Sequence, residues 1–192
     1  MIYSFIRFLF FILFVPVLRV KVEGREYITG TAPCIIASNH LSYLDPPLIG
    51  VILKAKMFSL GKEELFKKSG ILAFILRSIN VIPVRRGKTD IRAIKTALKA
   101  LKSKPLLIFP QGTRKHSYDV FNDGVGFLCK KSGVGVVACK IYGTDEILPA
   151  GKKLLRLKPG KIRLVFDKVD NIKESDSYRD ISIKVIEKIK SL

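Results

Sequence analysis

The sequence predicts an α/β domain: a largely parallel sheet flanked by helices, preceded by an N-terminal membrane-associating apolar helix. Three observations carry this. Short apolar runs alternate with amphipathic helical stretches along the chain. Polar residues with chemistry to offer follow directly on several of those runs, as in parallel sheets, where ligands sit beyond the carboxyl ends of the strands. The first 18 residues, MIYSFIRFLFFILFVPVL, hold a single charge, Arg7.

As a helix, residues 1–18 would be roughly 27 Å long, just short of a hydrocarbon core of about 30 Å. Pro16 ends or kinks it. No small-residue cleavage site follows, which disfavours a signal peptide. Two readings stay open: a spanning helix, or a monotopic one with Arg7, Arg19 and Lys21 reaching the headgroups. The expected organisation is a membrane-associating helix over residues 1–19 and one domain over residues 20–192. The run 34–37 reads as a buried strand. Asp45-Pro46-Pro47 opens a helix towards Lys54, with Asp at the N-cap and Pro in the first turn. Residues 62–76 read as mostly helical with a break at Gly70. Further strands are expected at 81–84, 105–109, 135–142 and 161–166. In 90–102, Ile91, Ile94, Leu98 and Leu101 share one helical face. Residues 124–131 and 177–190 complete the helices.

Composition narrows the partners. Lys and Arg total 35 against 16 Asp and Glu, a net charge of +19 over 192 residues. Such charge points to an anionic partner: nucleic acid, a phosphorylated substrate or an acidic membrane face. A nucleic-acid-binding module would leave the apolar N-terminus unexplained, and the aromatic-rich basic motifs of such modules are lacking. Cys34, Cys129 and Cys139 are far apart, each in an apolar stretch, without metal spacing. They read as reduced, buried thiols in a cytosol-facing protein.

The chemistry gathers at three strand exits. His40 and Asp45, five residues apart on one helix, would point roughly 140° from each other. They meet only if His40 lies in the loop and Asp45 in the first helical turn. A carboxylate on one imidazole nitrogen then fixes the tautomer, and the other nitrogen can take a proton from an attacking hydroxyl. Taken alone, Asp45 could simply cap the helix, with Ser42 in a capping box. The second exit carries Arg85-Arg86-Gly87. The third reads Phe109-Pro110-Gln111-Gly112-Thr113-Arg114, where Gly permits close backbone approach and Arg offers a planar fork for phosphate oxygens.

Together these segments resemble the PlsC-like glycerolipid acyltransferases, a family that includes the 1-acylglycerol-3-phosphate acyltransferases. Ser38-Asn39-His40-Leu41-Ser42-Tyr43-Leu44-Asp45-Pro46 resembles the family's first motif, His-x4-Asp. Lys62-Glu63-Glu64-Leu65-Phe66 resembles the segment before the second, and Ile82-Pro83-Val84-Arg85-Arg86 the second itself. Phe109–Arg114 resembles the third, and Val137-Ala138-Cys139-Lys140-Ile141-Tyr142-Gly143 the fourth. The resemblance covers roughly residues 20–170. Two positions depart from it. Gln111 stands where Glu is usual, keeping the shape and a hydrogen bond but losing the charge. Ala138 stands where Pro is usual.

The resemblance implies acyl transfer from an acyl thioester, on coenzyme A or acyl carrier protein, to the free hydroxyl of 1-acyl-glycerol 3-phosphate. It implies His40 as general base and Asp45 as its orienting partner. Arg86 and Arg114 would hold the acceptor phosphate, and Gln111, Gly112 and Thr113 would line the acceptor pocket. No metal and no cofactor is implied beyond the thioester co-substrate. The implied partners are membrane lipid, lysophospholipid and an anionic membrane surface, with no nucleic acid. The implied location is the cell membrane, with the catalytic domain on its cytoplasmic side. Another lipid hydroxyl as acceptor, and a non-catalytic lipid-binding relative, remain as alternatives.

Overall fold

In the computed structural model, residues 2–29, 32–53, 55–85, 87, 89–114, 118, 121–149 and 161–192 are described. The elements run α1 (Ile2–Phe14), β1 (Lys21–Glu23), a 3-10 turn (Arg25–Ile28), β2 (Ile35–Ser38), α2 (Asp45–Ile52) and β3 (Phe58–Lys62). Then come α3 (Glu63–Lys67), α4 (Gly70–Ser78), β4 (Val81–Val84), α5 (Ile91–Ala100), β5 (Leu106–Ile108) and α6 (Gly124–Ser132). The chain closes with β6 (Val136–Tyr142), α7 (Thr144–Ile147), β7 (Arg163–Lys168) and α8 (Tyr178–Ser191).

Among the described residues the strands form one seven-stranded sheet, ordered β1-β7-β6-β2-β5-β3-β4. The stretch from β6 to β4 is parallel throughout. β7 runs antiparallel to β6, and β1 is parallel to β7. The largely parallel sheet flanked by helices is therefore as expected. β2 lies in the interior and is buried along its whole length. Its side chains alternate with the pleat. Ile36 joins Leu48, Ile49, Leu107 and Cys139 in the core cluster under α2, while Ile35 and Ala37 join Ala97, Leu106, Val136 and Val185 in the cluster under α5 and α8. Helix α5 starts where expected because Asp90 caps it, accepting the Ala93 N–H. Helix α8 starts with a reciprocal capping box of Ser177 and Asp180.

Two strands escaped the sequence reading. β1 is three residues long and forms by pairing Lys21–Glu23 with Arg163–Val165. β3 occupies residues 58–62, although the sequence pattern predicts helix from Lys62 onward; pairing with β4 and β5 holds it extended. The helical stretch beyond it divides into α3 and α4 near Gly70, as expected. β3 and β5 are in register only at Phe58–Leu106 and Ser59–Leu107, whereas β3 and β4 stay paired up to Lys62–Val84. The sheet therefore opens between β3 and β5 towards their carboxyl ends.

Helix α1 forms at the apolar N-terminus. Tyr3, Arg7, Phe10 and Phe14 recur at helical spacing on its inner side. Phe10 and Phe14 stack at 4.4 Å and pack on the core, and the Tyr3 hydroxyl accepts the Met57 N–H at 3.2 Å. Arg7, expected at the headgroups, instead donates to the Leu53 carbonyl at 2.9 Å and so closes the end of α2. With 13 residues, α1 is about 20 Å long. Among the described residues no helix is long and apolar enough to cross a membrane.

Candidate active site

The site begins where β2 ends. Asn39 continues the β2–β6 ladder with its side chain: its Oδ1 accepts the Ile141 N–H at 2.7 Å, and its Nδ2 donates to the Ile141 carbonyl at 2.9 Å. This anchors the turn that delivers His40. The His40 Nδ1 lies 2.8 Å from Asp45 Oδ2, and the imidazole stacks on Phe109 with ring centroids 4.1 Å apart. From the β5 exit, Gln111 Oε1 accepts the His40 backbone N–H at 3.3 Å. The ring is thus held from its edge, its face and its main chain.

Asp45 does not occupy the N-cap that the sequence suggested. Leu44 takes that position, and Asp45 is the first residue of α2, ahead of two prolines that need no hydrogen-bond acceptor there. The carboxylate is free to turn back on the loop. Its Oδ2 accepts from the Leu41 N–H at 2.7 Å, the Ser42 N–H at 2.8 Å and the His40 ring. Its Oδ1 accepts the Thr144 hydroxyl at 2.6 Å. Both Asp45 and Thr144 are fully buried. A carboxylate is an acceptor only, so His40 Nδ1 is the donor in this contact, and in the neutral ring Nε2 is then the acceptor. Only half of a Ser42–Asp45 capping box forms: Asp45 accepts the Ser42 N–H, but the Ser42 hydroxyl accepts from the Leu44 N–H and donates to the Leu148 carbonyl.

A cavity of about 1700 Å³ opens on His40. That exceeds the roughly 300–1,000 Å³ of ordinary ligand pockets. It extends through the gap between β3 and β5 and reaches α1, α2, α4, α5 and α6, with Phe10, Val51, Leu60, Leu76, Ile94 and Leu128 along its wall. Its polar end is formed by His40, Lys62 and the segment Gln111–Arg114. Gly112 makes that segment possible, because its φ of +64° lies in the left-handed region. The Arg114 guanidinium lies 3.6 Å above the Tyr43 ring centroid, which leaves its edge available to an anion. Arg85 also lines the cavity, and ion pairs hold it near Glu63 and Asp90. Arg86 lies outside the described residues.

The structure therefore brings together His40, Asp45, Gln111, Gly112, Thr113 and Arg114. The sequence reading included Asn39 and Phe109 in the matched motifs without a role of their own, and it missed Thr144. Asn39 and Thr144 each carried a signal: both are polar residues at the end of a buried strand. Burial pushes the Cys34 thiol up to about 11 and raises Cys129 and Cys139 as well. All three are free; Cys129 and Cys139 are buried as expected, whereas Cys34 is half-buried.

The fold and this site define a class, a parallel α/β domain with a buried His–Asp pair facing an apolar cavity, and the comparisons supply its family. Residues 19–165 match the Acyltransferase family model, so the chain belongs to that family. It is PlsC-like: it matches the crystal structure of the 1-acyl-sn-glycerophosphate (LPA) acyltransferase PlsC from Thermotoga maritima with a TM-score of 0.73 and 29% identity, covering 90% of this chain and 69% of that one. It is 29% identical to the chloroplastic 1-acyl-sn-glycerol-3-phosphate acyltransferase LPAT1 of Arabidopsis thaliana, over 80% of this chain and 44% of the relative. It is 25% identical to a lyso-ornithine lipid O-acyltransferase of Pseudomonas aeruginosa, over 76% of this chain and 61% of the relative. The chain spans under half the length of the plant enzyme it matches.

Proposed function

We propose that the protein transfers an acyl group from an acyl thioester to the free hydroxyl of 1-acyl-sn-glycerol 3-phosphate, giving phosphatidic acid. The observation that carries this reading is the buried His40–Asp45 pair opening on an apolar cavity whose polar end holds Arg114. The relatives named for the same reaction support it. His40 Nε2 accepts the proton of the acceptor hydroxyl as its oxygen attacks the thioester carbonyl. Asp45 holds the ring and offsets the charge it gains. The tetrahedral intermediate collapses, the carbon–sulfur bond breaks, and the imidazolium returns its proton to the leaving thiolate. Ester and free thiol are the products. The reaction needs no metal and no resident cofactor, and the donor is acyl-CoA or acyl carrier protein.

Arg114, together with Arg86, holds the acceptor phosphate; Gln111, Gly112 and Thr113 line its pocket. The apolar cavity accommodates acyl chain. Residues 1–19 attach the protein to the membrane, and residues 20–192 form the catalytic domain. Helix α1 supports this division: its outer side exposes Phe5, Phe8, Leu9, Phe11, Ile12 and Leu13. A 13-residue helix docked along α2 fits one leaflet rather than a span. The net charge of +19 favours the anionic, cytoplasmic face of the cell membrane.

The test is purified protein with labelled acyl-CoA and acyl carrier protein donors, offered 1-acyl-glycerol 3-phosphate and other lysolipids in parallel. Phosphatidic acid should form, with the phosphate-bearing acceptor preferred. Transfer only to an acceptor without phosphate would overturn the substrate assignment.

A further inference from the structure

Helix α4 has the wrong surface for a helix that faces water. Within Gly70–Ser78 only Ala73 is buried. Ile71 is 75% exposed, Phe74 58% and Ile75 38%. Residues 71, 74 and 75 follow the i, i+3, i+4 pattern, so the three form one continuous apolar stripe about a quarter-turn wide. Single exposed apolar side chains are ordinary, but a contiguous patch marks a contact surface. These residues line no part of the cavity. Their apolar character is therefore not explained by substrate binding.

The position of α4 says what the contact is. Leu76 on its inner side and Ile79 just past its end line the same cavity as Tyr3, Ile6 and Phe10 of α1. The two helices are also tied through one residue: Met57 donates its N–H to the Tyr3 hydroxyl, while its carbonyl accepts from Asn80, just beyond α4. So α4 and α1 flank a shared cavity, and both are apolar on their exposed sides. Basic groups border the α4 stripe. Lys67 and Lys68 precede it, Arg77 follows, and all three are exposed. Apolar residues bordered by cations suit an anionic lipid surface. They suit a second copy of this chain poorly, because two molecules of +19 repel each other.

We infer that α4 is a second membrane-contacting element, with Ile71, Phe74 and Ile75 in the lipid and Lys67, Lys68 and Arg77 at the headgroups. The inference rests on the membrane attachment proposed above and deepens it. Contact on both sides of the cavity would hold the protein in one orientation, with the cavity against the leaflet that supplies lipid acceptor.

The chain contains no tryptophan, so Phe74→Trp in the full-length protein gives a single fluorescent reporter. Vesicles of phosphatidylglycerol and phosphatidylcholine should shift its emission to the blue, and lipids brominated on their acyl chains should quench it. Ile71→Ser/Ile75→Ser should weaken vesicle binding about tenfold by removing two apolar side chains from the contact. It should leave transfer to a soluble short-chain acceptor unchanged. If the protein sediments with vesicles while the Trp emission stays at its aqueous value, α4 is not in the lipid; attachment through α1 stands and this inference falls. Failure to sediment at all would overturn both. A blue shift that needs protein concentration and no vesicles would assign the stripe to self-association and overturn the inference.

Discussion

Thr144→Val removes one hydroxyl and keeps the side-chain shape. In the wild type that hydroxyl donates to Asp45 Oδ1 at 2.6 Å, and both residues are fully buried. No water can replace the lost donor without opening the packing. A hydrogen bond to a charged group contributes about 1.5–3 kcal/mol. If that contribution serves to hold the carboxylate against His40, its loss appears in the chemical step. At about 1.4 kcal/mol per tenfold, kcat should fall between about tenfold and about a hundredfold. Thr144 lines no part of the cavity, so KM for donor and acceptor should stay near wild type. Thr144→Ser keeps the donor and should restore most of kcat. The assay is continuous release of free thiol from acyl-CoA, with thermal unfolding measured in parallel, since the same loss lowers stability by about 1–3 kcal/mol. Unchanged kcat in a folded Thr144→Val protein would refute the reasoning. So would a raised acceptor KM at constant kcat.

Other perturbations read other parts of the site. Arg114→Ala should raise acceptor KM at least about tenfold, the loss expected for a charge-assisted contact, and leave donor KM unchanged; equal effects on both substrates would remove Arg114 from the phosphate site. Gln111→Leu deletes the acceptor of the His40 N–H, a loss of about 1 kcal/mol, and should lower kcat about fivefold. Gln111→Glu retains an oxygen there and should stay near wild type, which steady-state rates of the two variants will decide. The thiols set a pH dependence of stability. Burial raises Cys34 from 9.0 to about 11, so the folded chain holds this proton more tightly than the unfolded chain. That stabilisation is complete below about pH 9 and disappears as the pH rises towards about 11. Denaturant midpoints should fall across this window, and less so in Cys34→Ser.

The sequence reveals those parts of the fold that local pattern decides. Runs of consecutive buried residues such as Ile35–Ala37 and Val136–Cys139 read as interior strands, and Asp90 with Ser177 marks two helix starts. β3 was hidden because Gly61 and Lys62 interrupt any apolar run; its extended form comes from β4 and β5 on either side, which no window of sequence contains. The His40–Asp45 pair was visible as a spacing, but its geometry was not. Two prolines remove the need for Asp45 to cap α2, and that lets its carboxylate gather Leu41, Ser42, His40 and Thr144. Thr144 lies 99 residues from Asp45, so only the β2–β6 pairing brings them together. Arg7 shows the opposite error: a lone charge in an apolar helix suggests a headgroup, whereas the end of α2 provides an unpaired carbonyl nearer to hand.

The central claim is that His40 Nε2 removes the proton from the acceptor hydroxyl. Its most direct test is the rate of thiol release by His40→Ala with saturating acyl-CoA and 1-acyl-glycerol 3-phosphate, in protein shown to be folded. A general base contributes about 10²–10⁴-fold, so kcat should drop by at least about a hundredfold while lysophospholipid still binds. Full transfer by folded His40→Ala protein would contradict the account.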